Sequence, residues 1–226
     1  MTAPIASNTL SVNVFTAPGK AMVGERPKPF GEPLGFDPAT STLIFGEHDA
    51  VLVDAMKVSF TPPVERLARR CFPGQIPTKL VAPQPYDHDT FTLEGHELRI
   101  IEQGHTDSAD TTSLYVPSIG LIVAGDVVYN QCRMYVGDTT PESRKNWIAA
   151  LDRLAALNPA IVVAGHKKPG APDSPSAIQD TKRYLQDFDR LQKTATSEQE
   201  LFDQMTELYP HWVANQSWLM FGFPQP

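Results

Sequence analysis

Three apolar runs of this chain end alike: RIIEQGH reaches His105, GLIVAGD reaches Asp126 and AIVVAGH reaches His166. Two imidazoles and a carboxylate are donors that zinc or iron accepts, and such an ion activates water for attack on polar bonds. Glycine at 104, 125 and 165 leaves room for close backbone approach just before each polar side chain. Singly, each residue has a plainer reading. Gly-His ends many strands without binding anything, and Gly-Asp is more often a turn or a helix cap. Their recurrence favours one shared site, because layered α/β folds gather reactive groups at strand ends, where rigid strands aim them and the loops beyond stay open. Asp107 and Asp110, in the hydroxyl-rich stretch TDSADTT after His105, are expected to order their loop and not to bind an ion.

The elements that must position these residues are short and separated by turns, with 21 prolines falling mainly between apolar segments. LSVNVF (10–15) alternates as a strand does, and TLIFGEHDAVLVDA (42–55) reads as a hairpin turning at Glu47, His48 and Asp49. TPPVERLARR (61–70) predicts a short helix, with Thr61 as N-cap, Pro62 in the first turn and Val64, Leu67 and Ala68 on one face. From Phe91 the strands FTL, ELRIIE, TSLYVP and GLIVAGDVVY succeed one another, as consecutive strands of one sheet would. A helix is expected within 138–159, capped through Thr139 and Glu142, and AIVVAGH comes after it as a buried strand. Two further amphipathic helices are expected near 175–193 and 197–208, and Trp212, Trp218 and Phe221 of the tail are expected to pack on the body.

The bulk numbers exclude several classes. A chain of 226 residues, 41% apolar, is long enough to bury a real core as a single domain. Its net charge of -7, with basic runs no longer than Arg69-Arg70 and Lys167-Lys168, argues against nucleic acid as a partner. No segment approaches the roughly 18 apolar residues of a membrane span. The first thirty residues do not read as a signal peptide, so a cytoplasmic location is expected and the thiols of Cys71 and Cys132 are expected to be free.

From STLIFGEHDAVLVDA through GHTDSADTTSLYVPSIGLIVAGDVVYN to VVAGHKKPG, the chain resembles the metallo-β-lactamase superfamily. The resemblance covers most of residues 40–190, with 191–226 as a C-terminal helical extension of a single domain spanning 1–226. It implies an α/β fold, an αββα sandwich with a two-metal centre where the two sheets meet. It also implies that His105 is a ligand of the first metal, Asp126 the bridging carboxylate and His166 a ligand of the second. A bridging hydroxide would then attack the carbonyl of an ester, lactone, thioester or amide, with zinc, iron or manganese as cofactor and a small carbonyl compound as substrate. Tyr129, three residues after Asp126, matches a tyrosine that contacts the substrate carbonyl in lactonases of this superfamily; a packed strand-end tyrosine is the alternative.

The signature His-x-His-x-Asp-His is missing: the six histidines stand at 48, 88, 96, 105, 166 and 211, and no two are two residues apart. PYDHDTF (85–91) is read as a turn before a strand and not as a displaced ligand loop. Three ligands instead of the full set imply one weakly bound ion where the family holds two, and one half of the sandwich shortened. Two readings remain, a metal-dependent hydrolase or a shortened, non-catalytic relative acting by binding or dimerisation. Uncovered sheet edge and apolar surface make a homo-oligomer an expectation of both. Arg133, Tyr135 and Lys167 stand in the remaining loops, where contact with an anionic substrate competes with plain solvation.

Overall fold

The computed structural model describes residues 9–21, 35–54, 66, 69, 73–74 and 86–213. Among the described residues ten strands are formed: β1 (Ser11–Ala17), β2 (Lys20–Ala21), β3 (Gly35–Phe36), β4 (Ala39–Phe45), β5 (Ala50–Val53), β6 (Thr90–Leu93), β7 (His96–Gly104), β8 (Thr111–Val116), β9 (Leu121–Asn130) and β10 (Ile161–Lys167). Helix α1 (Pro141–Ala156) precedes β10, and α2 (Ser176–Gln192) and α3 (Glu198–Leu208) come after it. Among the described residues no helix is long and apolar enough to cross a membrane.

Eight strands form one mixed sheet in the order β1-β4-β10-β9-β8-β7-β6, with β5 paired to β4. The run β6 to β9 is a meander of antiparallel neighbours, as consecutive strands with short turns prefer, whereas β10 returns parallel to β9 after the α1 crossover. The half made of β1, β4 and β5 joins the other at the single pair His166↔Ala39. Two cores result from the alternation of side chains across the strands. Leu121, Val123 and Val163 face inward to Leu10, Ile44, Leu98 and Leu114, which closes the two halves of the sheet on each other. Ile122, Ala124, Val162 and Ala164 face the other way, onto Trp147, Leu151, Leu185 and Phe188 of α1 and α2. The described layers are therefore sheet, sheet and helices, an α/β half-barrel with helices on one side.

The helix expected over 61–70 lies outside the described residues except for Arg66 and Arg69, which are helical. Trp218 and Phe221 also lie outside them, whereas Trp212 stacks on Tyr184 with centroids 5.1 Å apart. The cap of α1 differs by one residue from the sequence reading. Thr140 is the N-cap, exchanging hydrogen bonds with Ser143, because Thr139 is drawn inward: it donates to the Val136 carbonyl and accepts from buried Arg144. The PYDHDTF segment does run as a turn into β6, with Tyr86 donating to the Thr90 carbonyl.

Candidate functional site

The site lies where β9 and β10 lose their regular register. From Gly125 to Tyr129 strand β9 advances four positions, while its partner advances two, from Ala164 to His166. Asp126 is thus not at a strand end, as the sequence pattern suggests, but on a bulge inside β9 that turns it off the ladder. Gly125 makes this possible with φ +57°, and Gly165 makes it necessary that no side chain intervene. A Cβ at Gly165 would stand 2.6 Å from the Gly125 carbonyl carbon and 2.8 Å from the Asp126 nitrogen. Trp147 steadies the bulge from α1, its Nε1–H donating to the Val127 carbonyl at 2.8 Å.

His166 is oriented from three directions. Its Nδ1 lies 3.1 Å from the Pro38 carbonyl, which can only accept, so Nδ1 carries the proton. Its ring stacks on Tyr129 at 5.1 Å and 22°. Its Nε2 therefore faces Asp126 Oδ1 at 3.3 Å. A lone pair facing a carboxylate oxygen at that distance is satisfied by a proton or by a cation held between them. An imidazole whose other nitrogen donates to a carbonyl is also the arrangement of a metal ligand.

Two further carboxylates feel the charges of this pair. Asp107, 5% exposed, accepts from the Tyr129 hydroxyl at 3.1 Å and from the hydroxyls of Thr106 and Ser108. Burial, then the charge of Asp126, push its carboxyl from 3.8 up to about 6. Asp54, with φ +54° at the end of β5, is raised to about 6 by crowding of protein around it and by Asp126, while His166 opposes the shift. Sequence reasoning took Asp54 only as the close of a hairpin. The signal was present, because AVLVD ends an apolar run in a polar residue as the other three do.

His105, just beyond the end of β7, points elsewhere: its Nε2–H donates to the Asp138 carbonyl at 2.6 Å. Gly104 before it has φ +76° with open space around it, so that glycine serves conformation and not close approach. Tyr129 is 1% exposed with its hydroxyl given to Asp107. Lys167 is bound to Asp173 at 2.7 Å, and Arg133 is buried. Among the described residues, no three His, Cys, Asp or Glu side chains already stand together as a cation cage. Among the described residues, His166 and Asp126 are the facing pair that could share an ion, whereas His105 is bonded to Asp138.

A family model for the metallo-β-lactamase superfamily matches residues 57–166, the stretch that holds His105, Asp126 and His166. A metallo-β-lactamase from Pontibacter korlensis shares the fold with TM-score 0.51 and 16% identity over 81% of this chain and 97% of that one. Over residues 57–166 the chain is similar to the metallo-β-lactamase superfamily. A metallo-β-lactamase family protein from Thermus thermophilus aligns with 72% of this chain at 21% identity and TM-score 0.46. The chain spans 51% of that protein's length. No curated protein matches the sequence.

Proposed function

We propose that the chain is a metal-dependent hydrolase of the metallo-β-lactamase superfamily, working at low turnover with one weakly held ion. The observation that carries this reading is the facing pair His166 Nε2 and Asp126 Oδ1, 3.3 Å apart, with His166 anchored through Nδ1 to the Pro38 carbonyl. His166 and Asp126 would hold zinc, iron or manganese, and His105 would become the third ligand on exchanging Asp138 for the ion. Weak affinity results from that exchange and from the missing His-x-His-x-Asp-His segment. When bound, such an ion lowers the pKa of water and polarises a carbonyl, which suits small esters, lactones, thioesters or amides. Tyr129 meets a substrate carbonyl only on releasing Asp107.

A second reading, a non-catalytic relative acting by binding or self-association, is favoured by the closed bond from His105 to Asp138. The test is to purify the full chain without chelator and measure zinc, iron and manganese together with hydrolysis of a simple lactone, an ester and a β-lactam. Metal-dependent turnover lost in His166→Ala supports the hydrolase. Absence of both metal and turnover supports the non-catalytic relative.

A further inference from the structure

Tyr129 is held at its backbone, its ring and its hydroxyl. Its N–H donates to Thr181 Oγ1 at 3.1 Å, and its carbonyl lies 2.9 Å from the same hydroxyl, so fully buried Thr181 ties this end of β9 to α2. The ring touches Trp147, with centroids 6.2 Å apart, and stacks on His166. The hydroxyl donates to Asp107, two residues beyond His105, and Asp107 in turn receives the hydroxyls of its own loop.

A phenylalanine would fill the same space and stack in the same way. A fully buried hydroxyl costs desolvation unless it finds an acceptor, and here the acceptor is a carboxylate, which makes the stronger kind of bond. We propose that Tyr129 is a positioning residue with two separable parts: the ring fixes the plane of His166, and the hydroxyl, through Asp107, fixes the loop that carries His105. The two imidazoles that would share an ion are then set from one anchored residue, although they lie on different strands and do not touch the same partners. The inference extends the hydrolase reading, since those imidazoles are its proposed ligands, yet it concerns the ion-free chain and stands or falls without turnover.

The test uses the full chain stripped with chelator. Tyr129→Phe keeps the ring and removes the hydroxyl. The expected result is unchanged ¹H and ¹⁵N resonances of the His166 ring, with amide exchange over residues 105–110 faster by about tenfold, as for any loop that loses one buried charge-assisted bond. Asp107→Asn, which retains an acceptor, should restore part of that protection when compared with Asp107→Ala. Tyr129→Leu, in protein whose circular dichroism matches the parent, should in addition move the His166 ring resonances by loss of the stacked ring. Exchange over 105–110 that is unaltered in Tyr129→Phe overturns the role of the hydroxyl. His166 resonances that shift in Tyr129→Phe as far as in Tyr129→Leu overturn the separation into two parts; should the leucine variant not fold, any shift of those resonances in Tyr129→Phe overturns it.

Discussion

Gly165 has the least freedom of any residue near the site. A methyl group there collides with backbone of Gly125 and Asp126 and not merely with a movable side chain, so one strand must shift. Gly165→Ala is expected to destabilise by about 1–3 kcal/mol, the usual range for overpacking, and to displace Asp126 from His166. Denaturant midpoints read the first effect and the loss of zinc binding the second. Charge makes a separate prediction. Asp107 and Asp54 have carboxyls raised from 3.8 to about 6, so between those values the folded chain binds more protons than the unfolded one. Stability should then fall as pH rises through that window and recover on acidification. Asp54, although protein crowds one side of it, keeps an exposed surface where solvent screens its share, and buried Asp107 carries the larger part. Thermal melts of the chelated protein at about pH 5 and about pH 7 should show the higher midpoint at the lower pH, with the difference reduced in Asp107→Asn.

At the scale of elements, local pattern was legible and pairing was not. The three helices lie within a few residues of the expected spans, because apolar residues at helical spacing and the Thr-Pro start of α1 are local signals. The cap moved from Thr139 to Thr140 because Arg144, buried against Phe188 and bonded to Asp189, also takes the Thr139 hydroxyl. That tertiary demand is invisible to a spacing rule. Thr140→Ala should cost about 1 kcal/mol in chemical denaturation, as the loss of a helix cap does. The bulge at Asp126 was equally hidden, since its register depends on pairing with β10, a strand distant in sequence. A second long-range contact ties the turn of the first hairpin to the turn before β7. Glu94 accepts backbone N–H bonds from Glu47, His48 and Asp49 at 2.9, 2.6 and 2.7 Å, which lowers its carboxyl to about 2. Glu94→Gln should speed hydrogen exchange at those three amides while leaving β9 and β10 protected.

The described residues form two half-sheets closed on one core, with helices packed through a second core on the far side of the larger half. The likeness to the metallo-β-lactamase fold was readable from the strand pattern, and Asp126 and His166 do face each other, but on neighbouring strands, with Asp126 on a bulge and not at a strand end. The join between the halves at a single residue pair was not readable, nor was the turning of His105 to Asp138, since both are set by residues distant in sequence. The smaller half presents Phe15 and Leu52, each about half exposed, on strands without a charged side chain. The proposed function requires His166 and Asp126 to hold one weak cation that supports hydrolysis. Its most direct test is zinc titration of chelated parent, His166→Ala and His105→Ala chains, with lactone turnover then measured at saturating zinc. About one zinc per chain is expected, abolished by His166→Ala and only weakened by His105→Ala, with turnover tracking occupancy. Zinc binding and turnover that persist undiminished in His166→Ala would contradict it.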